Sequence, residues 1–154
     1  MSGINRGKQF EDVIKRAFES IEGVSIDRIH DQTTGFAGST NISDFIMYRY
    51  PHEWYIECKS CHGGTLNFNN ITDNQWSGLL QKSEIDGVFA GILVWFIDKD
   101  KTFWVDIGDL QILKSDSSKK SLSVSDAEMI GFEVQGKKKR VFFEYDMRRF
   151  IDEF

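Results

Sequence analysis

The segment 54–59 alternates between apolar and chemically active side chains, and this pattern constrains the fold more than any other stretch of the chain. In an extended strand, residues two apart point to the same face, so Tyr55, Glu57 and Lys59 share one face. The three residues Trp54, Ile56 and Cys58 take the opposite face. The pattern therefore predicts a strand with one buried face and one face that carries charge.

A second strand is predicted directly upstream. The apolar run from Ile42 to Tyr48 contains a single carboxylate, Asp44, and the sequence Tyr-Pro-His-Glu at 50–53 is typical of a turn. Two strands joined by so short a turn form an antiparallel hairpin. The hairpin brings Asp44 beside Glu57.

Two carboxylates and a lysine on neighbouring strands suit the hydrolysis of a phosphodiester. Such hydrolysis needs a water nucleophile and relief of charge on the phosphate, which divalent ions with oxygen ligands supply. Magnesium is commonly held by one or two carboxylates and keeps several waters. We therefore predict that Asp44 and Glu57 hold the metal and that Lys59 orients the water or neutralises the phosphate. Alone, Glu57-x-Lys59 also fits an ordinary solvated charge pair.

A helix is predicted from about Lys8 to Glu22, with Gly23 placed to end it. Its apolar side chains recur at helical spacing and form one stripe. They are Phe10, Val13, Ile14, Ala17, Phe18 and Ile21. Glu11 lies at the edge of this stripe, from which a carboxylate can reach a site beside the sheet. An exposed helix glutamate fits that position equally well.

Composition sets the outer limits. The 154 residues, 40% of them hydrophobic, fit one domain spanning 1–154 with a real core. No apolar run reaches the roughly 18 residues of a membrane span, and no apolar export segment follows Arg6, so a soluble, cytoplasmic protein without membrane contact is expected. The net charge of −5 argues against indiscriminate coating of DNA, but it is compatible with acidic residues gathered at a metal.

Basic side chains that can contact DNA fall in three places. Arg6 and Lys8 open the first helix, and a second pair follows at Lys119-Lys120. The third group is Lys137, Lys138, Lys139 and Arg140. This last group also fits the solvated turn of a hairpin.

Cys58, Cys61 and His62 have the spacing of half a zinc site. His30 and His52 stand apart and do not complete a tetrahedral set. We therefore expect no structural zinc. Intracellular thiols normally stay reduced, so a disulfide is not expected, and Cys58 is interpreted as a small buried residue.

The remaining chain predicts an α/β fold, a mixed sheet covered by helices. Thr72 and Gln75 form a capping box that opens a helix. Gln75 can instead face the metal site, although capping alone explains it.

Other elements are expected along the chain. In the first half they are a strand at Val24 to Ile29 and a loop at Asp31 to Asn41. In the second half they are paired strands at Gly87 to Ile97 and Thr102 to Ile107, a short helix opened by Ser125 and closed by Gly131, a hairpin of Phe132 to Gln135 with Arg140 to Tyr145, and a terminal helix at Asp146 to Phe154.

Asn5-Arg6-Gly7 with Phe10-Glu11, then Asp44, then Glu57-Cys58-Lys59 resemble the PD-(D/E)XK nucleases, specifically the RecU-type Holliday junction resolvases. The similarity continues through Asp73-Asn74-Gln75 and the stretch 119–151. The archaeal junction resolvases are similar as well. Two features differ: Ser43 stands where the family name has proline, and the loop from His30 to Asn41 is shorter than the stalk of RecU proteins.

The resemblance implies a restriction-endonuclease-like fold and a homodimer that nicks four-way DNA junctions with Mg²⁺, or with Mn²⁺ as a substitute. It implies that Asp44 and Glu57 hold the metal, Lys59 assists the nucleophile, Glu11 supports the site and Gln75 lines it. Two other interpretations stay open. One is a nuclease of this fold with another DNA target, such as a restriction or nicking enzyme, and the other is a non-catalytic DNA-binding domain.

Overall fold

The protein is known from a computed structural model that describes residues 5–29, 41–139 and 142–154, with backbone only at 137–139 and 142–144. The strands run β1 Ser25–Arg28, β2 Phe45–Arg49, β3 His52–Cys61, β4 Thr65–Asn67, β5 Val88–Phe96, β6 Lys101–Asp106, β7 Ser121–Ser123, β8 Phe132–Glu133, β9 Gly136–Lys139 and β10 Phe142–Tyr145. The helices are α1 Arg6–Glu19, α2 Asp73–Ser83, α3 Ile107–Ser115, α4 Val124–Ile130 and α5 Met147–Asp152, with short 3-10 turns at Phe68–Asn70 and Ile97–Lys99.

Six strands form the central mixed sheet, in the order β1-β2-β3-β5-β6-β8. Only β3 and β5 pair in parallel within the described chain, and α2 provides the crossover between them. The predicted hairpin of β2 and β3 is confirmed, with Phe45 opposite Ile56. The predicted pairing of β5 with β6 is also confirmed.

Helices cover both faces of the sheet, as predicted. On one face α1 buries Phe10, Ile14 and Phe18 against Trp54, Ile56 and the apolar side chains of α5. On the other face α2 and α3 bury Trp76, Leu79 and Leu110. Burial of each such side chain stabilises the fold by about 1.5–3 kcal/mol.

Strand β5 shows how the sheet divides the two cores. Leu93 and Trp95 belong to the α1 side, whereas Ile92 and Val94 belong to the α2 side. This alternation is what an extended strand imposes. Because both its faces are covered, the strand has a continuous apolar sequence.

The first helix begins two residues earlier than predicted, at Arg6, because the Asn5 side chain accepts the Lys8 backbone N–H and caps it. It ends at Glu19, before the predicted Gly23, which adopts a positive φ of 82° in the following turn. The predicted loop at Asp31 to Asn41 lies outside the described residues, apart from Asn41.

Two other predictions needed correction, and some elements were missed. Phe132 and its neighbour pair with β6, and the late hairpin is formed by β9, which begins at Gly136, and β10. The capping box that opens α4 starts at Ser123 rather than Ser125, although Gly131 closes the helix as predicted. Helix α3 and the small sheet of β4 and β7 were not predicted at all. No helix in the described part of the chain is long and apolar enough to cross a membrane.

Candidate active site

Asp44 is held by the backbone of two neighbouring strands. Its own N–H donates to the Ile56 carbonyl at 3.0 Å, and its carbonyl accepts the Ile29 N–H at 2.8 Å. Its carboxylate oxygen Oδ2 accepts the Cys58 N–H at 2.8 Å. The strand begins one residue after Asp44, at Phe45, rather than enclosing it as predicted. Asp44 therefore sits at the entry of β2 in a position fixed by main-chain bonds.

Glu57 lies on the neighbouring strand and is only 3% exposed. Its Oε2 accepts a hydrogen bond from Gln75 Nε2 at 2.7 Å and lies 3.1 Å from Lys59 Nζ. Its other oxygen, Oε1, is buried without a hydrogen-bond partner among the described residues. A buried carboxylate oxygen without a partner is costly, so a proton, a water or a cation at this atom would stabilise the site.

Glu11 extends from α1 to the same place. Its side chain is half-buried and interacts electrostatically with Asp44, as does that of Glu57. Asp44 thus lies between two glutamates, one from the helix and one from the sheet. Neighbouring carboxylates repel one another when all are ionised, so this arrangement favours a bound proton or cation.

Burial and crowding raise the pKa of both glutamates. Desolvation is the larger cause for Glu57, followed by the negative charge of Asp44, and together they raise its pKa from 4.5 to about 8 although Lys59 opposes the rise. The same two causes raise the pKa of Glu11 to about 7, with Arg28 opposing. The cluster therefore holds protons that a bound cation would replace.

The donor set fits a hard divalent ion. Within the described residues, no three or more His, Cys, Asp and Glu side chains form a ready-made metal cage. Magnesium does not need one, because it is commonly held by one or two carboxylates and keeps its waters. Asp44 and Glu57, with the partnerless Oε1 of Glu57, match that requirement.

Gln75 fulfils both roles that the sequence left open. Its Oε1 accepts the Thr72 N–H at 3.1 Å, which completes the capping box at the start of α2. Its Nε2 donates to Glu57 at 2.7 Å. One side chain therefore joins the beginning of α2 to the carboxylate on β3.

Gly78 sets how closely α2 approaches the segment that carries Asp44. A Cβ at Gly78 would lie 2.2 Å from Cγ2 and 2.9 Å from Cβ of Ile42, two residues before Asp44. Real side chains do not approach so closely. The absence of a side chain at Gly78 thus allows Ile42 to pack directly on the helix.

Arg28 was not identified from the sequence. Its Nη2 contacts Asp12 Oδ1 at 2.7 Å, its guanidinium lies 5.5 Å from the Phe45 ring centroid, and its charge lowers the pKa of Glu11. An arginine at the end of a predicted strand is common, so the sequence pattern alone does not indicate a role for Arg28. Only the pairing of Arg28 with Phe45, the residue after Asp44, places it beside the cluster.

Four of the five predicted DNA-binding residues lie on two elements, α1 and β9. Arg6 and Lys8 lie in the first turn of α1, where Lys8 is exposed. Lys137 and Lys138 belong to strand β9 and not to the turn of a hairpin, and Arg140 lies outside the described residues. Their contact with DNA stays a prediction.

The two cysteines are free and face different cores. Cys58 packs toward α1, and burial raises the pKa of its thiol. Cys61 packs on the other side of the sheet, while His62 Nδ1 lies 3.0 Å from Asp98 Oδ1. Residues three apart on a strand point to opposite faces, so the two thiols do not share a site.

Comparison with known proteins bears on the fold. No protein-family model matches the chain, and no curated protein matches its sequence. Among solved structures, the chain is similar to Hjc, a Holliday junction resolvase from the archaeal hyperthermophile Archaeoglobus fulgidus, with a TM-score of 0.57 and 16% identity over 82% of this chain and 95% of that chain. The predicted resemblance to the archaeal resolvases is therefore confirmed at the level of the fold, and the chain has a restriction-endonuclease-like fold.

Proposed function

We propose that the protein is a metal-dependent DNA endonuclease that resolves four-way junctions by paired nicks as a homodimer. The observation that carries the proposal is the placement of Asp44 between Glu11 and Glu57, with the buried Oε1 of Glu57 lacking a partner in the described chain. The fold shared with a junction resolvase favours branched DNA over other DNA targets.

Each residue of the proposed site has its own role in the reaction. Asp44 and Glu57 hold the cation, and Glu11 adds negative charge behind Asp44. A magnesium ion held by these carboxylates would offset charge on the scissile phosphate and would supply an activated water. Lys59, 3.1 Å from Glu57, orients that water or offsets phosphate charge, and Gln75 keeps Glu57 in place from α2.

The test compares cleavage of a labelled four-way junction with cleavage of a linear duplex of the same sequence, with and without Mg²⁺. Wild type is expected to nick the junction in Mg²⁺, and Asp44→Ala to lose the activity. Equal cutting of both DNAs would instead support a nuclease with another target. Binding of the junction without cleavage in any metal would support the non-catalytic interpretation.

A further inference from the structure

A basic cleft lies outside the carboxylate cluster, between β4, the end of α3 and the segment before β7. It has a volume of about 260 Å³ and is lined by polar and cationic side chains together with Phe68, with no carboxylate among the residues that line it. The polar and cationic side chains are Asn67, Asn69, Lys114, Ser117, Lys119 and Lys120. Three lysines at one concavity are unusual in a chain whose net charge is −5.

Two of the lysines keep their charge available. Lys119 forms an ion pair with Asp126, whose carboxylate oxygens lie 3.0 and 3.2 Å from the Lys119 Nζ. Neither Lys114 nor Lys120 forms an ion pair with a carboxylate in the described parts of the chain. The nearby Asp116 accepts hydrogen bonds from Ser118 within its own loop. The cleft therefore presents two unneutralised ammonium groups.

The walls of the cleft are fixed by packing and main-chain bonds. Lys114 Nζ lies 4.2 Å from the centroid of the Trp76 ring, a contact that positions the ammonium without cancelling its charge. The Lys120 carbonyl accepts the Phe68 N–H at 3.1 Å. Asn67 is paired with Ser121 across β4 and β7, and its Oδ1 accepts the Asn69 N–H. The carboxamide N–H groups of Asn67 remain as donors.

The cleft connects to the carboxylate cluster through α2. Phe68 packs edge-on against Trp76, with ring centroids 6.0 Å apart. Trp76 follows Gln75 in the helix, and Gln75 bonds to Glu57. One layer of aromatic side chains thus separates the cleft from the helix end that contacts the site. Each DNA strand carries a phosphate for about every 3.4 Å of duplex, so DNA at the site brings further phosphates alongside.

We propose that this cleft binds a backbone phosphate of the DNA at some distance from the scissile bond, with Lys114 and Lys120 as its cations and Asn67 as a hydrogen-bond donor. The inference rests on the proposed function, because it takes the ligand to be the same DNA. Fixed cations and amide donors recognise phosphate oxygens without reading bases. The cleft therefore contributes affinity and register, independent of sequence, and leaves the chemical step unchanged.

The test measures binding of the four-way junction to full-length protein without Mg²⁺, as a function of salt concentration. Lys114→Gln/Lys120→Gln is compared with Lys99→Gln/Arg148→Gln, which removes the same charge from exposed positions elsewhere. The cleft variant is expected to lower the slope of log K against log salt by about 1, because the slope falls by about 0.9 for each neutralised phosphate that is lost and the cleft binds one. Lys114→Arg/Lys120→Arg is expected to keep the wild-type slope. Circular dichroism confirms that each variant is folded.

Equal slopes for the cleft variant and wild type, or an equal fall in the cleft and control variants, would overturn the proposal. Inorganic phosphate provides a second arm. If it shifts the tryptophan fluorescence of wild type but not of Trp76→Phe, while the DNA slope is unchanged in the cleft variant, the cleft takes free phosphate and not DNA. Cleavage in Mg²⁺ at saturating DNA distinguishes the two hypotheses. If wild type cleaves the junction and the salt slope of the cleft variant is unchanged, only the cleft proposal is refuted. If the slope of the cleft variant is lowered and wild type does not cleave, the nuclease proposal is refuted and the cleft proposal stands.

Discussion

At the scale of single residues, the proposed metal site implies a competition between protons and a cation for buried carboxyl groups. Asp44 lies between Glu11 and Glu57, and burial, together with the charge of Asp44, raises the pKa of both glutamates. A divalent ion would stabilise the ionised forms that burial disfavours. Metal binding and proton release are therefore expected to be linked in this cluster.

The linkage predicts how stability depends on pH. The pKa of Glu57 rises from 4.5 to about 8 on folding, so between those values the folded chain keeps a proton that the unfolded chain has lost. Its contribution to the free energy of unfolding therefore falls as pH rises through that window. Mg²⁺ opposes the fall, and the increase in Tm on adding Mg²⁺ is expected to grow from about pH 6 to about pH 9. Differential scanning calorimetry measures both effects.

Glu57→Gln is the matched control, since it keeps the shape of the side chain and removes its titration. It is expected to flatten the pH dependence without metal and to abolish the Mg²⁺-induced increase in Tm. An Mg²⁺ effect of equal size in wild type and Glu57→Gln would show that the ion binds elsewhere.

Substitutions at Thr72 and Gln75 separate the capping of α2 from the contact between Gln75 and Glu57. Thr72→Ala and Gln75→Ala each break the capping box and are expected to lower the free energy of unfolding by about 1 kcal/mol. Only Gln75→Ala removes a hydrogen bond from Glu57, so only this variant is expected to slow junction cleavage at saturating Mg²⁺. Equal cleavage rates in the two variants would assign Gln75 to capping alone.

At the scale of elements, the hairpin of β2 and β3 was predictable because apolar alternation and a turn signal specify both strands and their register. The helix stripe of α1 was predictable for the same reason. The three-residue strands β4 and β7 were not, because so short a segment shows no period. Helix α3 was missed because Ile107 continues the apolar pattern of β6, and its start depends on the Asp106 cap.

Strand β9 could not be predicted from the sequence for a different reason. Lys137 and its neighbours have no apolar alternation, so nothing in the sequence indicates β9; its pairing with β10 comes from backbone register. Within the site, sequence pattern identified Asp44, Glu57, Lys59 and Glu11 as candidates. It did not identify Arg28, whose place depends on the pairing of β1 with β2.

The packing of α2 on Ile42 predicts a long-range effect on the site. Gly78→Ala inserts a methyl group into the space of Ile42 and is expected to displace Asp44, because Ile42 and Asp44 are separated by one buried residue, Ser43. We expect at least a roughly tenfold loss of kcat, comparable to other small misplacements of catalytic groups. Single-turnover cleavage measures it.

A second substitution, at Ile42, distinguishes displacement of Asp44 from a simple loss of stability. Ile42→Gly removes both clashing atoms, Cγ2 and Cβ, so Gly78→Ala/Ile42→Gly is expected to recover part of the rate lost by Gly78→Ala, although both single variants cost stability. A double variant no faster than Gly78→Ala would refute the positioning role of Gly78.

At the scale of the whole molecule, the described residues provide one cluster of buried carboxyl groups, and the net charge is −5. Under the proposed function, affinity for DNA would come from local contacts and the bound ion rather than from overall charge. Resolution of a four-way junction requires two nicks on opposite strands. If each chain has one active site, as we propose, a second copy is needed to supply the second nick.

We therefore predict a dimer in solution. Multi-angle light scattering is expected to give twice the 17.8 kDa mass of one chain at the concentrations where junctions are cut. A mass of one chain under conditions of full cleavage would contradict the dimer while leaving the nuclease centre intact.

The central claim is that Asp44 and Glu57 hold a divalent ion, and a calorimetric titration with Mn²⁺ tests it most directly. Asp44→Asn is the informative variant, because an amide oxygen still accepts the Cys58 N–H and preserves the fold while the ligand charge is lost. We expect one Mn²⁺-binding event in the wild type that releases protons, and a loss of that binding in Asp44→Asn. Equal affinity and equal proton release in the two proteins would contradict the claim.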